Sequence, residues 1–132
     1  MMSKLPVFVC AGVVAMVTVS LSAPAICAEK TLYTFKGGSD GLGPGAALIA
    51  DNSGNLYGTT FRGGSPHCNR LGCGTVFKVA HDGKETVLYA FSASHGKFPD
   101  VALHTGMHDT LYGTAAEGGK RNDGLVFSVT TK

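Results

Sequence analysis

Four carboxylates, Asp40, Asp51, Asp100 and Glu117, lie among glycine-rich and polar stretches of the sequence. Paired acids are the machinery of glycoside hydrolysis, one giving a proton and the other acting as base or nucleophile. Spacing alone brings no two of these together. Three of them also stand where turns favour an acid: Asp40 in Ser-Asp-Gly, Asp51 ahead of Asn-Ser-Gly-Asn, and Asp100 after Pro99. No G-x-S-x-G nucleophile elbow occurs. Asp51, Ser53 and Asn55 open a calcium-loop pattern, but Leu56 and Arg62 occupy the places where an EF-hand needs its glycine and its bidentate glutamate. A hairpin turn accounts for the same residues.

His104 and His108 have the spacing of two metal ligands on a helix, yet Gly106 lies between them in a turn between strands and no H-E-x-x-H is present. His67, His81 and His95 fall in loops and are expected to face solvent. Cys68 and Cys73 form an even pair that reads as a disulfide in an exported chain. It would close a short loop, which gains least from cross-linking, and so would pin that loop rather than found the fold. With His67 the pair would supply three adjacent ligands where a closed zinc site takes four. No metal or other cofactor is expected. Among the aromatic residues, Tyr and Phe at strand positions read as core, and Phe98, in a loop between Lys97 and Pro99, is the one to test for ligand contact.

These residues must be positioned by a repeated scaffold. GNLYGTTFRGG at residues 54–64 returns as DTLYGTAAEGG at 109–119. The segment from Leu32, LYTFKGG, aligns with that from Leu88, LYAFSAS, and Gly74-Thr-Val-Phe-Lys-Val aligns with Gly124-Leu-Val-Phe-Ser-Val. The offset is 56 residues at LYxF, 55 at LYGT and GG, and 50 at GxVFxV, so length changes fall between the matched segments. The largest is in the loop carrying both cysteines. Each copy, about 31–80 and 85–130, holds four short apolar or β-branched runs punctuated by Gly, Asp, Asn and Pro: TLYTF, AALIA, NLYGTT and GTVFKVA in the first, ETVLYAF, VALH, TLYGTA and GLVFSVT in the second. No helical apolar period runs through residues 29–132. Four strands repeated at this interval predict an all-β fold of two four-stranded antiparallel propeller-like blades, a partial β-propeller. Gly58 and Gly113, inside predicted strands, mark close approach of another backbone or a tight bend.

The first copy, LYTFKGGSDGLGPGAALIADNSGNLYGTT followed by Gly63-Gly64 and CGTVFK, resembles the bacterial GloVer-type tandem repeat of Gloeobacter and Verrucomicrobia. The second copy departs from the pattern where SASHGKFPD replaces GGSDGLGPG and HTGMHD replaces DNSGN. The resemblance spans about residues 31–130 and implies an exported, propeller-like repeat array without an established catalytic activity. Two copies cannot close a ring: either copies of the chain assemble as a homo-oligomer that completes the propeller, the favoured reading, or the gene is a shortened one, or the eight strands fold into another sandwich or barrel.

The N-terminus, MMSKLP followed by an apolar run ending in small residues, reads as a secretory signal peptide over 1–28, with an uncleaved anchor as the alternative. Residues 29–132 then form one exported domain, periplasmic, cell-surface or extracellular. Beyond residue 28, ten Lys and Arg balance nine acids with no basic cluster, which argues against nucleic acid as a partner. The sequence therefore supports an exported structural or binding module for a glycan or protein. Its loops at 37–45, 62–73 and 92–100 are the candidate recognition surface, with Asp40, Arg62, His67, Phe98 and Asp100 as binding candidates. The rival reading is a secreted carbohydrate-active enzyme, built by oligomerised blades, using Asp40 and Asp100.

Overall fold

The computed structural model describes residues 28–68 and 70–132. The expected signal peptide, with Cys10 and Cys27, therefore lies outside the described residues except for Ala28. Among the described residues the chain is all-β, with eight strands, one 3-10 turn at Gly38–Asp40, and no helix long and apolar enough to cross a membrane. The strands are β1 (Leu42–Pro44), β2 (Ile49–Ala50), β3 (Leu56–Arg62), β4 (Thr75–Val79), β5 (Glu85–Ala90), β6 (His104–Thr105), β7 (Thr110–Ala115) and β8 (Leu125–Thr130).

They form two antiparallel sheets. The first has five strands in the order β1-β3-β4-β5, with β2 also paired to β3, and the second has three, β6-β7-β8. This differs from two sheets of four strands in an instructive way. β5 is the LYxF segment of the second sequence copy, yet it pairs with β4 of the first, Val76 opposite Tyr89 and Phe77 opposite Val87, with Leu88 bulged out between them. Sheet and sequence repeat are thus out of phase by one strand. The first copy's LYTF, residues 32–35, is in no strand. The expected AALIA and VALH strands shrink to the two-residue β2 and β6.

Burial follows from the stacking of one sheet on the other. β7 and β8 alternate strictly between covered and open positions, the mark of a sheet packed on one face. β3 and β4 are covered on both. The core between the sheets joins Tyr57, Val76 and Cys73 to Phe91, Leu103, Leu111 and Ala115. Phe91 meets Phe127 edge to face at 5.0 Å, which ties the end of β5 to β8.

Glycines set how closely the loops approach the sheets. Gly63, at φ 85°, leaves no room for a side chain: a Cβ there would lie 2.5 Å from the Gly41 Cα. Gly118 repeats the arrangement, its Cβ position 2.5 Å from the Gly96 Cα. The GG after each LYGT strand is therefore required by backbone against backbone, not only by a turn. Gly63→Ala should cost about 3 kcal/mol, combining left-handed strain with overpacking. Gly37→Ala, at φ 75° with nothing within 4 Å of its Cβ position, should cost about 1 kcal/mol. Urea unfolding of the two variants measures the difference.

Candidate functional site

The three loops singled out by the sequence meet at one end of the sheets. Gly64 N–H donates to the Gly38 carbonyl at 2.8 Å, joining loop 37–45 to loop 62–73, and Gly63 N–H donates to the Leu71 carbonyl at 2.7 Å within the second loop. Cys68 and Cys73 are bonded within the second loop, and the Cys73 carbonyl accepts the Phe98 N–H at 2.8 Å. Loop 92–100 is thereby fastened to the other two. Between the first pair of loops lies a cleft of about 270 Å³, bordered by Ser39, Leu42, Ser65 and Arg70.

Beside it stands an aromatic stack. Phe98 lies nearly parallel to Phe61 with ring centres 4.7 Å apart, and the Arg62 guanidinium sits 5.6 Å from the Phe61 ring centre. Arg62 pairs across the ladder with Leu42, which borders the cleft. Phe98 holds this position at φ 57°, a left-handed conformation costly for a residue with a side chain. Its counterpart in the first copy, 55 residues earlier, is Gly43 at φ 71°. The second copy therefore keeps the backbone of a glycine turn while placing a phenyl ring on it.

The remaining candidates separate. Asp40 does not face a second acid across the cleft. The Tyr33 hydroxyl donates to it at 2.6 Å and the Lys36 N–H at 2.7 Å. Burial pushes its pKa up, but these donors prevail and hold it below the ordinary carboxylate value. Its carboxyl neighbour is Glu85, which burial and the Asp40 charge push up to about 7, and whose Oε1 is buried with no hydrogen-bond partner. His67 and Asp100 are exposed. Asp100 approaches loop 37–45 at Gly45, where an added Cβ would lie 3.4 Å from its Oδ1.

Asp51 spends both oxygens on its own turn. It accepts from Ser53 N–H, Asn55 N–H, the Asn55 amide and the Tyr57 hydroxyl at 2.7–2.9 Å, donors that hold it down at about 2. His104 lies in β6 rather than in a turn, and it and His108 are exposed. The His95 ring hydrogen-bonds Ser92 and Ser94. No group of three or more metal-binding side chains converges among the described residues.

A profile of the Gloeobacter/Verrucomicrobia repeat matches residues 13–132. The chain belongs to that family. No curated protein and no solved structure matches it. In this Gloeobacter/Verrucomicrobia repeat protein the scaffold is common to both copies, so individuality resides where the copies disagree. Asp40 corresponds to His95, Gly43 to Phe98, Gly45 to Asp100, Phe61 to Ala116 and Arg62 to Glu117. Four of the five sequence candidates, all but His67, are in that set. Phe61 belongs to it too, and was passed over because an aromatic residue in a strand reads as core. Where the first copy has Leu42 opposite Arg62, the second has Lys97 opposite Glu117 in an ion pair at 3.1 Å. Arg62 of this family member is left to contact an aromatic ring instead.

Two measurements test these assignments. Glu85 has a native pKa above the unfolded value of 4.5, so the native state holds the extra proton between pH 4.5 and 7. Its contribution to stability is full below that window and declines as pH rises through it. Glu85→Gln should remove about 1–2 kcal/mol of that decline, allowing for solvent screening. Asp51 acts oppositely, its contribution being lost as pH falls from 3.8 through about 2, and Asp51→Asn should soften unfolding at that acid end. Thermal melts from pH 2 to 8 separate the two. For Phe98, Phe98→Ala keeps the left-handed strain and loses the stack, and should cost about 1–2 kcal/mol. Phe98→Gly relieves the strain and should change stability by less than about 1 kcal/mol.

Proposed function

We propose that this chain is an exported, non-catalytic binding module of propeller-like blades, completed by further copies of itself, that holds an extracellular glycan at its loop end. The observation that carries this reading is Phe98. A phenyl ring kept in a left-handed conformation costs stability, and such cost concentrates at sites of recognition. The Phe98–Phe61 stack offers an apolar edge, Arg62 a cation, and the neighbouring cleft hydroxyls and backbone polar groups from Ser39 and Ser65. Flat apolar surface beside fixed hydrogen-bonding groups is the combination that a sugar ring, with its C–H face and hydroxyl rim, requires. The disulfide between Cys68 and Cys73 suits an oxidising compartment, in keeping with export.

The rival reading, a carbohydrate-active enzyme, draws on Asp40 and Glu85, two adjacent carboxyls whose pKa values are driven apart as in an acid and base pair. The buried Glu85 Oε1 and the engaged Asp40 oxygens favour a structural role for that pair.

A glycan array read with the unaltered chain, Phe98→Gly, Arg62→Ala and Glu85→Gln tests both. The binding reading expects retained glycans without turnover, at least a tenfold loss in Phe98→Gly and Arg62→Ala, and little change in Glu85→Gln. Turnover that disappears in Glu85→Gln would favour the enzyme. Unchanged binding in Phe98→Gly would remove the site from the stack.

A further inference from the structure

Among the described residues the second sheet stops at β8, which pairs only with β7, while in the first sheet the equivalent strand β4 carries β5 on its other side. Residues 29–35, EKTLYTF, repeat the sequence of residues 85–91, ETVLYAF, with Glu, Leu, Tyr and Phe in the same places. The later segment is β5 with Phe91 directly after it. The earlier one lies in no strand.

Its side chains nevertheless hold the pose of that strand. Tyr33 and Phe35 meet edge to face at 5.2 Å and 89°, against 5.0 Å and 85° for Tyr89 and Phe91. Phe35 meets Phe77 at 4.9 Å and 72°, against 5.0 Å and 72° for Phe91 and Phe127. Phe77 and Phe127 are themselves repeat equivalents, 50 residues apart. Residues 33–35 are thus seated on the first sheet as β5 is seated on the second, in the place of an outer strand whose own sheet is absent from the described residues.

The faces agree. On the second sheet Val126 is 76% exposed and Tyr112 47%, whereas their equivalents Val76 and Tyr57, covered by the neighbouring sheet, are 0% and 4% exposed. On the opposite end of the molecule Leu48 is 52% exposed and its equivalent Leu103, inside the intersheet core, 1%. One end of the molecule presents the side chains of one half of the intersheet contact, and the other end presents those of the complementary half. The two ends lie on opposite sides of a two-sheet stack, so a single chain cannot join its own.

We infer that residues 29–35 of one copy add as an antiparallel fourth strand to β8 of a second copy, and that the Tyr112/Val126 face of that copy packs on the Phe35/Phe77/Leu48 face of the first. The register follows from β4 and β5: Leu125 opposite Thr34, Val126 opposite Tyr33, Phe127 opposite Thr31, with Leu32 bulged as Leu88 is. The contact is heterologous, each copy giving a strand at one end and receiving one at the other. With propellers of about four to eight blades, about two to four copies close the ring. The inference rests on the reading of two incomplete blades and is independent of the glycan site.

Light scattering after size exclusion tests it on the full chain. The unaltered chain should have the mass of more than one copy. Tyr33→Pro, which removes the N–H that this register aims at the Val126 carbonyl, disables donation, and Val126→Arg disables reception; each alone should fall to single-chain mass. Mixed together they still possess one intact donor and one intact acceptor, and should form a particle of two chains and no larger. Co-produced chains carrying Tyr33→Cys and Val126→Cys should form a disulfide-linked pair on a non-reducing gel, a readout that does not depend on either blocking variant folding. A single-chain mass for the unaltered protein would overturn both strand donation and the completion of blades by further copies. Assembly that survives Tyr33→Pro but not Val126→Arg would overturn donation alone and leave face-to-face completion standing. An inert mixture, or absence of the cross-linked pair, would likewise overturn donation.

Discussion

The phase difference between the sequence repeat and the sheet governs this molecule. The LYxF segment at residues 88–91 opens the second sequence copy but completes the first sheet, because Phe91 packs on Phe127 of its own copy while β5 pairs with the VFxV strand of the preceding one. One short segment therefore serves two sheets at once. This is how β5 binds the two sheets into a single core, and why the intersheet contact does not depend on side-chain packing alone. The same rule leaves residues 32–35 with their packing made and their pairing unmade.

Glycine enforces the second dimension of the design. Gly41 against Gly63 and Gly96 against Gly118 draw the loops down onto the strands, and Gly58 and Gly113 leave room for the Phe77 and Phe127 rings. Phe98 stands in the place of a glycine and keeps its left-handed turn, so a phenyl ring is added to the loop without disturbing the sheets. The two-residue strands β2 and β6 at the sheet edges add little to the ladder.

Much of this was legible in the sequence. The four long strands around LYGT and VFxV follow from β-branched and aromatic runs between turn residues, and the DNSGN turn forms with Asp51 as its acceptor. The pairing of Cys68 with Cys73 follows from two cysteines separated by a short loop. The membership of each LYxF strand was not legible, because pairing is a long-range choice that local pattern does not encode. Nor was β1, whose Leu-Gly-Pro carries no apolar alternation and is held by its ladder to β3. At the candidate site, Phe61 lies between Arg62 and Phe98, a juxtaposition that sequence spacing does not encode. Glu85, the carboxyl neighbour of Asp40, was not legible, since an acid at the start of a strand is brought to the turn only by the fold.

Hydrogen exchange at single-residue resolution on the assembled full chain tests the central claim most directly. If LYxF segments always complete the sheet before them, the Tyr33 and Phe35 amides should exchange as slowly as those of Tyr89 and Phe91, and dilution to single chains should release the first pair while leaving the second protected. Free exchange of the Tyr33 and Phe35 amides in the assembled particle would contradict the account.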